Sequence, residues 1–242
     1  MKESAKPAEV STERRKPGRP RNDAALIPAK VLLLEETIKI VAEHGPLAVN
    51  ARQICKGAGV MFAAVNYNFG SWNALLATAA AKVYLEYVEA IWQKARAAGN
   101  DPKHRLRAYI EEVLVWAGKM PGWFAVINYP VLVKDVTAIR LELFSEETVG
   151  YFLLNQARLR HLIFDIRQGK VSNFDFEANN LPVDDLIQDN QLAAKTVSIG
   201  WSIMGMAVWA SRGTTGESQV GDMKKLEPGF IEFHIEQLLH SI

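Results

Sequence analysis

The sequence predicts an all-α protein: three short helices in a helix-turn-helix arrangement near the N-terminus, followed by a larger helical domain. Three observations carry this. Apolar residues recur at helical spacing along most of the chain after Pro28. Capping and helix-ending residues punctuate those runs, as in Asn50, Gly59 and Asp101-Pro102. No stretch alternates convincingly at period two; the nearest, Val171 to Phe176, sits in a polar loop. No internal repeat is visible.

Taken in order, residues 1–28 are rich in Pro, Lys, Arg, Glu and Ser, lack periodicity, and read as a disordered basic arm. Leu33, Leu34, Thr37, Ile38 and Val41 then share a helical stripe, which Gly45-Pro46 ends. Asn50, three residues before Gln53, is an N-cap with a capping-box partner and opens a short helix holding Ile54, Cys55 and Ala58. Gly59 supplies a tight turn, and a third helix spans about Phe62 to Asn68. A long, rigid helix is expected from about Asn73 to Ala97, with Leu76, Ala80, Val83, Tyr87 and Ile91 on one face.

Asp101-Pro102 caps the next helix, whose stripe is Leu106, Tyr109, Ile110, Val113, Leu114 and Ala117. A break is expected at Pro121-Gly122, with that segment ending at Pro130. Helical pattern resumes from about Thr137 to Gln168, from about Asp184 to Arg212, and from Pro228 onward, where Ile231, Ile235, Leu238 and Leu239 are in register. The expected domains are 1–28, the basic arm; 29–76, the helix-turn-helix unit; and 77–242, the larger helical domain.

A net charge of +1 hides an uneven distribution. Arg14, Arg15, Lys16, Arg19 and Arg21 fall together with no acid among them, which points to a polyanionic partner. In a helix-turn-helix the second helix braces while the third enters the major groove, about 12 Å wide. On the third helix, Val65 and Phe69 point inward, leaving Phe62, Ala63, Asn66 and Tyr67 outward. Asparagine pairs bidentately with adenine, and small or apolar groups touch thymine methyls.

The run from Glu36 to Leu76 resembles the DNA-binding domain of TetR-family (tetracycline-repressor-like) transcriptional regulators. The matching elements are "AEHG", the Ile54–Val60 core "ICKGAGV", and "VNYNFGS" from Val65 to Ser71 leading to Leu75-Leu76. The resemblance implies a homodimeric regulator, most simply a repressor, that binds a palindromic operator in double-stranded DNA. It places DNA contacts at Arg52, then Phe62, Ala63, Asn66, Tyr67 and Asn68, then Trp72. Met61 stands where a hydroxyl residue usually caps the third helix, Asn68 where histidine is frequent, and Trp72 where a phosphate-binding lysine is usual. In the arm, "KPGRPR" carries a Gly-Arg-Pro core similar to minor-groove arms, adding Arg19 and Arg21 as candidate contacts.

The C-terminal region is aromatic-rich and far larger than DNA reading requires. A chamber lined by some of Trp116, Met120, Trp123, Phe124, Asn128, Phe152 and Trp201 would suit a small hydrophobic or aromatic effector. Asn155, Gln156 and His161 are further polar choices; taken singly, most of the aromatics read first as core and only second as ligand wall. Small residues Gly200, Gly205 and Ala207 permit close helix approach. By the resemblance, the last stretch of 137–168 and the helix at 184–212 form the dimer interface; the alternative is that these residues fill a monomeric core.

Other chemistry is not legible. "GAGVMF" lacks the third glycine of a dinucleotide fingerprint, and "GWSIMG" misses the nucleophile-elbow spacing. The histidines lack metal-ligand spacing and no paired-carboxylate motif stands out, so neither enzyme, metal nor cofactor is expected. A lone Cys55 and an N-terminus without an apolar core point to the cytoplasm. The longest apolar tract, Val197 to Ala210, falls short of the roughly 20 residues a membrane span needs. The competing reading is a helical protein-interaction or small-molecule-binding protein that has lost operator binding.

Overall fold

A computed structural model describes residues 27–45, 49–132, 146–172, 189–212 and 228–242; within it, side chains of 128–132, 146–148, 212, 228, 230 and 231 are left aside. Every regular element among the described residues is an α-helix: α1 (Ala29–His44), α2 (Ala51–Gly57), α3 (Ala63–Phe69), α4 (Trp72–Ala97), α5 (Pro102–Lys119), α6 (Pro121–Leu132), α7 (Glu146–Gln168), α8 (Asn190–Arg212) and α9 (Pro228–Ser241). The all-α expectation holds, with boundaries that differ in detail.

Local chemistry sets the starts. Asn50 Oδ1 accepts the Gln53 amide at 3.0 Å, and Ser71 Oγ accepts the Ala74 amide at 3.0 Å, so α2 and α4 are both side-chain capped. Asp101 Oδ1 accepts the amides of Lys103 and His104, with Pro102 in the first turn of α5. Asp189 Oδ1 accepts the amides of Gln191 and Leu192, both at 2.9 Å. That cap starts α8 at Asn190 rather than near Asp184; residues 184–188 lie outside the described residues, as does 137–145 ahead of α7. The α5–α6 break falls at Met120, but α6 continues through Pro130 to Leu132. A proline removes one helical donor, and here that loss does not end the helix.

The head packs α1 against α2, α3 and α4 around Leu33, Val41, Ile54, Cys55, Val65 and Leu75, all buried. Gly59, at φ 66°, makes the turn between α2 and α3 in a conformation that other residues rarely adopt. In the body α5 is central, touching α4, α6, α7, α8 and α9. Its predicted stripe from Leu106 to Ala117 is buried throughout. Arg107 bridges Glu232 (2.6 Å) and Glu236, tying α9 to α5. Arg105 donates to the Gly99 carbonyl and to Asn100 Oδ1, closing the C-terminal end of α4. By length and composition Asn190–Ser211 could cross a bilayer, but Leu192, Thr196, Ile199, Ile203, Met206 and Ala207 of this helix face the core.

Head and body meet along α1 and α6. The Trp123 indole N–H, fully buried, donates to the Ile38 carbonyl at 2.7 Å, and a Cβ on Gly122 would overlap the Val41 carbonyl oxygen. Gly122→Ala therefore forces α6 away from α1, and should cost about 1–3 kcal/mol of stability, read as a lower denaturant midpoint. Asp101 is a separate lever. The His104 amide first, then that of Lys103, holds its carboxyl below the usual value despite partial desolvation. A depressed folded pKa gives stability that is present above the unfolded value near 3.9 and lost as pH falls through the folded one. Asp101→Ala should cost about 1 kcal/mol at neutral pH, and the difference from the parent should shrink in melts below about pH 4.

Candidate nucleic-acid interface

The α3 helix is seven residues long and its start is open. Phe62 occupies the N-cap position with helical dihedrals and makes no side-chain cap bond. Its one fully buried residue is Val65; Phe69 is half-buried, with the Lys30 ammonium 5.7 Å from its ring centre. The opposite face is solvent-exposed: Phe62 at 55%, Tyr67 at 91%, with Ala63 and Asn66 beside them and Met61 at 77% just ahead. Sequence periodicity separates these two faces correctly.

The candidate DNA contacts do not stand alike. Phe62, Ala63, Asn66 and Tyr67 share the open face, and Arg52 is exposed on neighbouring α2. Asn68 is half-buried and its Nδ2 donates to the Ala64 carbonyl at 2.7 Å, spending half its amide on its own helix. Trp72 opens α4 half-buried and packs on the hydrophobic core. Arg19 and Arg21 lie outside the described residues. No acidic residue occurs between Glu43 and Glu86, and Arg52 and Lys56 of α2 are exposed; Glu36 of α1 lies against Gly57, and Lys82 pairs with Glu86 at 2.9 Å.

The candidate effector residues are more scattered. Trp116 stacks near Tyr87, ring centres 4.1 Å apart, and meets Phe124 edge-on at 6.3 Å. Met120 is half-buried at the α5–α6 junction and packs on the same core. Trp123 instead turns toward α1, and the side chain of Asn128 lies outside the described residues. Phe152 and Trp201 are exposed, on α7 and α8, so they do not join the Trp116–Phe124 group.

Spacing gave no sign of the polar cluster inside the body. Trp92 Nε1 donates to Asn155 Oδ1 at 2.8 Å, and Asn155 Nδ2 donates to Tyr109 Oη at 3.3 Å. Burial pushes the Tyr109 phenol up to about 12, against the opposing effect of the Asn155 bond. Tyr84 and Tyr87 are raised as well, chiefly by burial. These phenols stay neutral and act as hydrogen-bonding groups at any physiological pH. The His161 imidazole is lowered by burial, with nearby Asp165 opposing, so it too favours the neutral form. Gln156 is half-buried. Among the described residues no group of acids, histidines and cysteine is arranged to hold a metal.

The two faces of α3 give opposite expectations on substitution. Val65→Ala should cost about 2 kcal/mol, because it empties the contact that holds α3 to the head. Tyr67→Ala should change stability by no more than about 0.5 kcal/mol. Paired denaturant melts check both; equal losses would mean that Tyr67 packs.

No family model and no curated protein matches the sequence. Solved structures do. A fatty acid degradation regulator, FadR from Bacillus halodurans, is 16% identical and superposes with a TM-score of 0.59 over 89% of this chain and 96% of that one. The transcriptional regulator FadR from Bacillus subtilis, solved in complex with stearoyl-CoA, is 13% identical, with a TM-score of 0.58 over 88% and 98% of the two chains. Both likenesses span the head and the body, so the chain has the fold of these regulators over nearly its full length.

Proposed function

We propose that the chain is a homodimeric DNA-binding transcriptional regulator of the TetR type, acting as a repressor that a small hydrophobic or aromatic effector releases from a palindromic operator. The outward face of α3 carries the reading. It leaves Phe62, Asn66 and Tyr67 exposed on a helix that carries no acid, beside the exposed cations Arg52 and Lys56 of α2. Exposed aromatics of this kind support an interaction site, and the neighbouring cations support a polyanion as partner. Solved regulators with the same fold support the assignment, and the stearoyl-CoA complex of one supports an apolar effector for this chain. No catalytic role is proposed, and the cytoplasm suits such a regulator.

Exposed apolar side chains support a dimer through α7 and α8. Val149, Phe152 and Leu153 lie one helical turn apart on α7; Val197, Trp201 and Trp209 line α8, with Gly205 leaving bare backbone among them. A two-fold axis through these helices presents two α3 helices about one DNA turn apart, which a palindrome matches. The effector acts through differential affinity. If it favours a body in which α6 or α4 is displaced, the α3 spacing changes, and a coupling of about 1–3 kcal/mol weakens operator binding roughly 5- to 150-fold.

Selection of bound fragments from the source organism's genomic DNA, at about 50 and 200 mM salt, tests the reading. A recovered palindrome, held less tightly at the higher salt, is the expected result. Removing residues 1–21 should weaken it further, through loss of Arg19 and Arg21. Recovery of no sequence at either salt would refute the regulator and favour a binding protein whose head no longer reads.

A further inference from the structure

We infer that α3 selects half-sites with a core of A·T base pairs, recognised through thymine methyl groups and the major-groove edge of adenine. The inference rests on the regulator reading above and narrows the DNA it takes. Guanine is read in the major groove chiefly by arginine or lysine, bidentate to O6 and N7. Neither residue occurs anywhere from Met61 to Ser71. The cations of the head are placed elsewhere. Lys30 sits over the Phe69 ring and Lys39 pairs with Glu36 at 4.0 Å, both on α1. Arg52 and Lys56 belong to α2, the helix that lies across the phosphate backbone in this arrangement. Charge therefore flanks the reading face and does not enter it.

What the face does offer fits the other base pair. Phe62, Ala63 and the ring of Tyr67 are apolar, and thymine's C5 methyl is the one apolar group in the major groove. Of the two asparagines, Asn68 donates its amide N–H to Ala64, whereas the exposed Asn66 side chain makes no hydrogen bond among the described residues. Asn66 can then donate from Nδ2 to adenine N7 while its Oδ1 accepts from N6. Thymine methyls and adenine edges alternate along the same A·T steps, so the two chemistries address one kind of core.

The test selects sites from random duplexes at about 50 mM salt, then replaces each core thymidine of the selected site by deoxyuridine. That exchange removes only the C5 methyl and leaves the minor groove untouched, so a basic arm in the minor groove is blind to it. A·T-rich cores are expected, with binding about fourfold weaker for each contacted methyl lost, the equivalent of roughly 0.8 kcal/mol. The same exchange outside the core should have no effect. Tyr67→Ala should abolish the sensitivity at one position while salt-dependent binding persists. Selected cores built on G·C pairs, or site-specific binding indifferent to deoxyuridine, overturn the inference and leave the regulator standing. A chain that retains no duplex even at low salt overturns both.

Discussion

The structure depends on how α6 is held against α1. A buried indole N–H must find an acceptor or cost about 1–3 kcal/mol, and that of Trp123 finds the Ile38 carbonyl, which has a second lone pair beside its helical bond. One residue earlier, Gly122 lets the α6 backbone come so close to Val41 that no side chain fits between them. Since α1 also packs on α2, α3 and α4, it joins α6 to the N-terminal helices, alongside α4, which packs on α1, α3 and α5. A shift of α6 along α1 breaks the indole bond or drives backbone into backbone. Displacement of α6 is thus coupled to α1, which is what the proposed effector response would require.

The body is stiffened by the same rule applied inside the core. Asn155 on α7 accepts from Trp92 of α4 and donates to Tyr109 of α5, joining three helices through one amide. Arg158, one turn later, reaches Glu89 of α4 at 3.3 Å; burial lowers the guanidinium pKa and Glu89 opposes that shift. Buried polar groups that are paired this way specify one packing among many apolar alternatives. Ring packing also bears on where the proposed effector would sit. Trp116 already packs against both Tyr87 and Phe124, so a ligand entering there must displace ring–ring packing.

Much of this was legible in the sequence because it is written in short-range chemistry. The Asn50 and Asp101 caps, the α5 stripe and the division of α3 into Val65 and Tyr67 faces all follow from spacing of four residues or fewer. What spacing conceals is pairing over distance. Trp123 reads as one more aromatic of a chamber wall, and only its position against α1 shows it as the junction. The glycine before it permits close backbone approach, but the sequence does not say to what. Asn155 and Trp92 stand 63 residues apart, and no periodicity links them. Pro130 misled for the opposite reason: a local rule for ending helices was overridden within α6.

The α3 helix shows the same tension resolved toward function. Seven residues are too few to hold a helix in water, since nucleation is costly and isolated helices below about 12–15 residues are marginal. A hydroxyl cap ahead of it would help by about 1 kcal/mol, yet Met61 and Phe62 stand there and no side-chain cap forms. The helix is held instead by Val65 and Phe69 against the head, and by the capped start of α4 that follows. Tertiary packing on one face thus frees the other from any duty to stability. Under the proposed function, side chains on that free face answer to what they touch outside the chain, and their apolar, uncharged character then becomes a statement about the partner.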